Sequence, residues 1–260
     1  MRRWGGYLAF VLVFATACGL LSWWQWARNT EAQAGIDRIE RNYDDTPVAL
    51  SAALPRLDSW SVEDEWRPVE LRGRYLRGEQ LLVRNRQLNG QPGWEVLVPF
   101  RLADGRVFVV DRGWLALGNR SDLPSSIPAA PRGEVTVVAR LRKGEPQLPG
   151  QTAPRGQVST IHLPTVAERV DRPIYTGAYG VLDRESPAPA TRPQAAVRPE
   201  PDLGPHISYA LQWIAFGILA FIGLGWAIRH DRRVARGDPA PVRKRKSDAD
   251  LEDELLDARV

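Results

Sequence analysis

The chain has 260 residues, of which 43% are hydrophobic and 25% are charged, and its formal net charge is +4. That length accommodates one modest soluble domain beside any membrane spans. One Cys, one Met and three His exclude a disulfide framework, a Cys-rich zinc site and a Met-rich copper site, and the near balance of acidic and basic residues between Arg28 and His206 argues against a nucleic-acid partner.

The first long apolar run covers residues 4–27 and ends in a tryptophan cluster before Arg28. About 20 apolar residues cross a bilayer, and Trp is typical of the membrane-water interface. We therefore predict an N-terminal transmembrane helix over residues 1–28. The alternative is a cleaved signal peptide, or a lipoprotein signal acylated at Cys18. The continuation of the run past Cys18 disfavours both forms of that alternative.

Residues 29–205 have the composition of a soluble, β-rich domain. Asn29–Tyr43 is polar and compatible with a helix, and Thr46–Leu57 predicts a short helix that Pro55 ends. Runs of β character then alternate with Gly, Asn and Pro turn signals. The predicted strands are Pro68–Leu76, Gln80–Asn85, Trp94–Leu102, Arg106–Asp111, Glu134–Arg142 and Pro173–Leu182, with a short helix over Leu163–Val170 before the last of them.

The turn signals include Leu88-Asn89-Gly90, Gln91-Pro92-Gly93 and Asp104-Gly105, the last being the strongest hairpin signal of the chain. This pattern predicts a small antiparallel barrel or curled sheet of the α+β class. Residues 186–205 are rich in Pro and Ala and are predicted to form a semi-extended tether.

The second long apolar run is His206–Ile228, predicted as the C-terminal transmembrane helix. Arginines crowd behind it, and residues 229–260 have the composition of a disordered cytoplasmic tail. Because basic flanks favour the cytoplasm, we expect a multi-pass protein of the cell membrane with both termini cytoplasmic and the β-rich domain outside.

Two such helices run in opposite directions, so the end of the first meets the beginning of the second at one membrane boundary. A histidine, amides, an arginine and aromatic rings would then stand together, a set that suits a flat, amphipathic, anionic cofactor such as haem, with His206 as candidate iron ligand. Interface anchoring and interhelical hydrogen bonding are the alternative roles for these side chains. The candidate cofactor-binding residues are His206, Tyr209, Gln212, Trp213, Trp24, Gln25 and Arg28.

The strand end Asp111 to Leu115 reads DRGWL, and Arg84 and Arg86 precede it on a hairpin. These arginines are candidates for contacts with haem propionates or with a partner's carboxylates, but an Arg and Asp at a strand end more often serve structure. The chain has no GxSxG, HExxH, Walker or GxGxxG motif, so we expect no enzyme and no catalytic residue.

These motifs, in this order, resemble the surfeit locus protein 1 family of cytochrome c oxidase assembly factors. The resemblance rests on the following residues, read in chain order: Trp24-Gln25 with Arg28, Gly73 with Tyr75, Arg84, Gly90 with Pro92-Gly93, Pro99, Asp104-Gly105, Arg112-Gly113-Trp114, His206, Tyr209-Ala210, Trp213 and Phe216. The chain departs from the family pattern at Ser22, where Gly is usual, and at Asp111, where Asn is common.

The resemblance implies two transmembrane helices around an outward-facing β-rich domain and a bacterial factor that assists haem a delivery to, or insertion in, the catalytic subunit of an aa3-type oxidase. The implied partners are that subunit, the enzymes that synthesise haem a and the lipid bilayer, with haem a as a transient ligand. The alternatives are a scaffold that contacts oxidase subunits without binding haem, and an envelope enzyme.

Overall fold

A computed structural model describes residues 2–119, 122–151, 153–170 and 172–237. The described residues divide into two compact units. One unit, the helix pair, contains the chain up to Glu31 together with the residues from Leu203 onward, and the other, the β domain, is Ala32–Asp202.

Two long helices carry the apolar runs. Helix α1 is Arg2–Asn42 and helix α4 is His206–Arg236. Both are long and apolar enough to cross a membrane, and most of their large apolar side chains are exposed. This surface suggests membrane association. Each helix continues past its predicted boundary, and residues 238–260 of the predicted tail lie outside the described residues.

Among its described residues, the β domain contains eight strands, two short α-helices, two 3-10 turns and the last residues of α1. In chain order the strands and short α-helices are β1 (Val48–Ala49), α2 (Leu50–Ala53), β2 (Pro68–Tyr75), β3 (Leu81–Leu88), β4 (Gln91–Leu102), β5 (Val107–Ala116), β6 (Val135–Lys143), β7 (Gln157–Val158), α3 (Leu163–Ala167) and β8 (Ala178–Ser186). The first five predicted strands agree with β2 to β6 to within a few residues at each end, except at the end of β5.

Five of these strands close a ring. The sheet order runs β1-β2-β6-β8-β5-β4-β3-β7, and an additional pairing of β2 with β4 joins the ring β2-β6-β8-β5-β4. Three pairs are parallel, namely β1 with β2, β3 with β7, and β5 with β8. The prediction of an antiparallel sheet is therefore wrong in detail, because the sheet is mixed. The long connection from β5 to β8 permits the parallel pairing.

Both faces of β5 are buried. Phe108 and Val110 belong to one hydrophobic cluster, whereas Val107 and Val109 belong to a second cluster with Leu163 of α3. Successive strand residues point to opposite faces, so this strand separates two cores. Because both faces of β5 are buried, its residues form a continuous apolar run. A strand with one face exposed to solvent would instead alternate apolar and polar residues.

Two predicted turns are confirmed and one is wrong. Gly105 (φ +86°) turns the chain between β4 and β5, and Asn89 with Gly90 (φ +50° and +75°) turns it between β3 and β4. The predicted turn at Gln91-Pro92-Gly93 is instead the start of β4. Gly93 is needed there because a Cβ would overlap the Trp114 ring.

Two further predicted elements have different bounds in the structure. The helix predicted over Thr46–Leu57 is reduced to β1 and the single turn α2, because Val48 pairs with Val69 of β2. The strand predicted from Pro173 begins only at Ala178. In both places tertiary pairing overrides the local pattern.

The predicted tether is docked on the β domain. Gln194 forms an isolated bridge with Trp114, with N–H donors in both directions at 2.8 and 2.9 Å. Farther along, Arg198 pairs with Asp44 at 2.6 Å and lies over the Tyr43 ring. Residues 187–202 therefore form a strap held at two points.

Candidate functional site

The helix pair packs through a seam of mostly small residues. Val11, Cys18, Ser22 and Ala210 are its buried members, and a Cβ on Gly217 would lie 3.7 Å from the Cys18 Cβ. The buried or half-buried residues recur at spacings of three, four or seven, which is the pattern of two helices in lengthwise contact. We call these residues the interhelical seam: Val11, Cys18, Ser22 and Gln25 of α1, and His206, Ala210, Trp213 and Gly217 of α4.

One end of the interhelical seam is polar. His206 Nδ1 and Gln25 Oε1 form a hydrogen bond of 2.9 Å between α4 and α1. Ser22 lies one turn before Gln25 and is 9% exposed. Asn29 lies one turn beyond Gln25, and its Oδ1 is buried without a hydrogen bond from any residue that the structure describes. The interhelical seam, whose other members are apolar or small, thus has four polar side chains at or next to this end.

The structure brings together two of the seven predicted site residues directly. Gln25 and His206 are bonded, and Trp213 lies half-buried on the seam with its ring edge-on to Phe216 at 5.8 Å. The predicted residues on exposed faces are Trp24, Arg28, Tyr209 and Gln212, with Arg28 paired to Glu31 at 2.7 Å. Trp24 and Gln212 are each adjacent in sequence to a seam residue, Gln25 and Trp213, and so diverge from the seam by about 100°. Arg28 and Tyr209 lie three residues from Gln25 and His206 and are nevertheless exposed.

Sequence reasoning missed Asn29 as a member of the polar end. Ser22, Gln25 and Asn29 follow one another at spacings of three and four, so helical periodicity was the signal that identifies them. Trp24 and Arg28 were predicted from their residue type, although they are exposed and do not share the helix face of Ser22, Gln25 and Asn29.

The RGW element serves the structure of the β domain. Arg112 is fully buried, its Nη2 donates to Glu185 Oε1 at 2.7 Å and its Nη1 donates to the Pro128 carbonyl at 3.1 Å. The guanidinium also lies over the Tyr75 ring, 5.4 Å from its centroid. Burial, and then the charge of Glu185, raise the pKa of the Tyr75 hydroxyl above its ordinary value. Arg112 is therefore inaccessible to a haem propionate.

Gly113 and Trp114 complete this element. Gly113 has φ +122°, and a Cβ there would overlap the Gln194 carbonyl, so the strap requires glycine at this position. The Trp114 indole donates from Nε1 to the Arg86 carbonyl at 3.0 Å. Both residues hold the strap and the β3–β4 hairpin against β5.

A second polar cluster surrounds Asp111. Arg86 lies 2.9 Å from a Glu95 oxygen and donates to both oxygens of Glu145 at 2.8 and 2.7 Å. Asp111 is 4% exposed and accepts one hydrogen bond from the Gly113 N–H at 3.0 Å. Burial, reinforced by the negative charge of Glu95, raises the pKa of Asp111 to about 8.

The neighbouring carboxyls respond differently to the same surroundings. Burial raises the pKa of Glu95 above its ordinary value, although Arg86 opposes the shift. Burial also acts on Glu145, but the hydrogen bonds from Arg86 and from the Ile161 N–H bring its pKa below the ordinary value. Among the described residues, no group of three or more His, Cys, Asp or Glu side chains is arranged to hold a metal ion. Arg84, the remaining predicted cation of this hairpin, is exposed.

Comparison with known proteins gives a consistent result along most of the chain. The sequence profile of the SURF1 family matches residues 12–218. An uncharacterized SURF1-like protein of Mycobacterium tuberculosis is 36% identical over 248 residues, which is 91% of this chain and 90% of the relative, and a Mycobacterium bovis protein is equally similar. A SURF1-like protein of Dictyostelium discoideum is 28% identical over 122 residues, 45% of each chain.

Proposed function

Because the chain belongs to the SURF1 family, which is linked in general to cytochrome oxidase assembly, we propose that it is a membrane assembly factor for an aa3-type cytochrome c oxidase. In this proposal it assists the delivery of haem a to the catalytic subunit, or its insertion there. It acts as a chaperone without catalysing a reaction. Its partners are the catalytic subunit, the enzymes that synthesise haem a and the lipid bilayer.

The proposed topology places α1 and α4 across the cell membrane, with both termini in the cytoplasm and the β domain outside. The basic residues that follow the second apolar run, among them Arg229, Arg232 and Arg233, support this orientation through the positive-inside tendency. The polar end of the interhelical seam then lies at the outer membrane boundary, where the catalytic subunit of a membrane-bound oxidase is within reach.

The hydrogen bond between His206 and Gln25 is the observation that carries the proposal. Polar side chains between two membrane helices cost free energy unless they are paired, and they commonly mark functional positions. Here a hydrogen bond holds an imidazole, a common ligand of haem iron, at one end of a mostly apolar helix contact.

The residues around His206 fit such a group. Gly204 leaves room beside the imidazole that a Cβ would fill, and the buried Asn29 Oδ1 is an acceptor that no described residue satisfies. Trp213 and Phe216 offer aromatic surface about two and three turns along α4. His206 would hold the haem through its imidazole, Gln25 would orient that ring, and the haem iron would supply a Lewis-acidic centre for the imidazole nitrogen.

The test is an absorption spectrum of the full chain purified from cells that make haem a. We expect an a-type haem spectrum from the wild type, and its loss in His206→Ala. His230→Ala is the matched control, because His230 also lies on α4 but stacks on Trp226 at 5.2 Å. A colourless wild-type protein would remove the haem-binding part of the proposal and leave the scaffold.

Deletion of the gene tests the cellular role separately. We expect the a-type signal of the membranes to fall while the b-type signal persists, because only the oxidase that receives haem a needs the factor. An unchanged a-type signal would overturn the assembly role itself. Complementation with His206→Ala and His230→Ala then connects the spectrum of the purified protein with the deficit in cells.

A further inference from the structure

We infer that Gln25 is a positioning residue that holds His206 in the tautomer protonated on Nδ1, and that Gly204 keeps the opposite ring nitrogen, Nε2, open to a ligand. The inference is carried by the 2.9 Å contact between His206 Nδ1 and Gln25 Oε1 and by the backbone beside Nε2. The ligand part rests on the proposed function, whereas the tautomer part stands without it.

The tautomer follows from the chemistry of the two bonded atoms. A neutral imidazole has one donor nitrogen and one acceptor nitrogen, whereas an amide oxygen can only accept. Since Gln25 presents Oε1 to His206 Nδ1, the proton resides on Nδ1 and the lone pair on Nε2. The hydrogen bond also fixes the orientation of the imidazole ring, because it joins side chains of two helices that pack against each other along the interhelical seam.

The backbone before α4 determines access to Nε2. Gly204 has φ +60°, and a Cβ at this position would lie 3.4 Å from Nε2 and 3.6 Å from Cδ2 of His206. These are ordinary van der Waals contact distances, so a methyl group at residue 204 would lie directly against the ring edge that carries Nε2. Glycine leaves that nitrogen unobstructed from this direction.

This combination is that of a metal-ligating histidine. A ligating imidazole usually donates its other N–H to an oxygen acceptor, which sets the tautomer and increases the basicity of the ligating nitrogen. Gln25 supplies such an acceptor to His206. The ligand class is a metal centre that accepts an imidazole nitrogen, and among those an iron porphyrin would suit a site between apolar helices with aromatic neighbours.

His162 provides an internal reference with the opposite tautomer. It precedes α3, and its Nδ1 accepts a hydrogen bond from the Thr165 backbone N–H at 3.4 Å, while the Thr165 hydroxyl lies 2.8 Å from the same nitrogen. A backbone N–H can only donate, so His162 Nδ1 carries the lone pair. One chain therefore contains two histidines whose surroundings impose opposite proton positions.

The first experiment is nitrogen NMR of the full chain in detergent micelles, labelled with ¹⁵N-histidine and kept free of haem, at a pH where the histidines are neutral. Protonated and unprotonated ring nitrogens resonate in separate regions, and the chain has only three histidines. We expect Nδ1–H for His206 and Nε2–H for His162. Gln25→Leu should give averaged His206 signals and leave His162 unchanged, and Gln25→Glu should restore Nδ1–H. Gln33→Leu, at an exposed glutamine of α1 outside the candidate site, is the matched control.

The second experiment is a titration of the same variants with haemin, followed by the absorption band of the complex. We expect Gln25→Leu to weaken binding by roughly 10- to 100-fold, as loss of such a partner does elsewhere. Gly204→Ala should weaken binding without altering the His206 tautomer. Gly237→Ala controls for backbone strain, since Gly237 also has a left-handed φ of +70° and nothing near a Cβ.

The outcomes separate the two proposals. An Nε2–H tautomer for His206, or a tautomer unaffected by Gln25→Leu, would overturn the role of Gln25 whatever haemin does. Equal haemin binding by Gly204→Ala and Gly237→Ala would overturn the role of Gly204. If the wild type shows the expected tautomer but does not bind haemin, the haem proposal and the ligand part of this inference are wrong. The assignment of Gln25 as the group that sets the tautomer would still hold.

Discussion

The β domain and the helix pair bury polar side chains in opposite ways. Inside the ring of strands, Arg112 and Glu185 form a charged pair with side-chain exposures of 0% and 2%, joined across 73 residues of sequence. On the interhelical seam, His206 and Gln25 form a hydrogen-bonded pair that is only partly buried. The first pair is enclosed by strands, whereas the second lies at the end of a helix contact.

The difference indicates what each pair can do. Arg112 also donates to the Pro128 carbonyl and contacts the Tyr75 ring, so its guanidinium is occupied by contacts within the β domain. Removing its partner would leave a buried charge unpaired, which is costly in free energy. His206 uses one nitrogen for Gln25 and has its other nitrogen beside a glycine. The enclosed charge pair is therefore costly to break, whereas the partly buried pair leaves His206 Nε2 beside a glycine.

The largest effect should come from breaking the enclosed pair. Arg112→Ala leaves Glu185 buried without its partner, and we expect the free energy of unfolding to fall by about 3–5 kcal/mol. Denaturation of the full chain in detergent, followed by tryptophan fluorescence, measures this change. The double variant Arg112→Met with Glu185→Leu should lose much less, because it removes both charges. An Arg112→Ala loss below about 1 kcal/mol would contradict the structural role.

The next effect concerns the strap. Gly113→Ala places a Cβ against the Gln194 carbonyl at φ +122°, and we expect a loss of about 2 kcal/mol. Hydrogen exchange should show earlier opening of the strap around Gln194. Gly105→Ala is the control, because Gly105 also has positive φ but nothing lies near its Cβ, and about 1 kcal/mol of backbone strain is expected there. Equal losses would mean that the contact with Gln194 is unimportant.

A third test uses pH. The pKa of Asp111 is raised from 3.8 to about 8, so the folded state binds this proton more tightly than the unfolded state does. The free energy of unfolding should therefore fall as pH rises from about 4 to about 8, by at most about 1.4 kcal/mol per pH unit. Asp111→Asn keeps an acceptor for the Gly113 N–H but cannot ionise. We expect it to flatten this slope and to gain roughly 1–2 kcal/mol at pH 8.

Asp104 is the matched control for that experiment. Its pKa is lowered, first by the hydrogen bond from the Arg106 side chain, so it contributes stability above the unfolded pKa that is lost as pH falls. Asp104→Asn should therefore change stability with the opposite sign to Asp111→Asn. An unchanged pH slope in Asp111→Asn would show that the buried carboxyl is already ionised at neutral pH.

The smallest effect is expected in the helix pair. Gly217→Leu inserts a side chain where a Cβ would already lie 3.7 Å from Cys18, and Cys18 is only 2% exposed. We expect Cys18 to react with a maleimide several-fold faster, which corresponds to about 1 kcal/mol of local opening. Gly223→Leu, at a glycine with open space around it, should leave the rate unchanged. A rate unaffected by Gly217→Leu would place Cys18 outside the helix contact.

The sequence predicted the local elements of this protein well. Both apolar helices, the main strands of the ring and the Asp104-Gly105 hairpin follow from run length, apolar patterning and turn chemistry. The turn predicted at Pro92 and Gly93 was wrong. Glycine is favoured both in turns and where another side chain packs closely against the backbone, and only the position of the Trp114 ring distinguishes the two cases.

For the candidate site, the sequence identified the chemistry better than the geometry. His206 and Gln25 were predicted and are bonded, whereas Tyr209 and Trp24 were predicted beside them and are exposed. Asn29 was missed although its spacing from Gln25 follows the seam. Residue type indicates what a side chain can bind, but the face on which two helices meet depends on how their surfaces interlock.

The sequence by itself determined the two apolar helices, the β character of the segment between them and the presence of polar residues near His206, because each depends on neighbours along the chain. Only the tertiary structure decided the parallel pairing of β5 with β8, the burial of Arg112 against Glu185, and the choice of Gln25 as the partner of His206. These features join residues far apart in sequence, and such contacts form only where packing of the whole unit brings them within hydrogen-bonding distance.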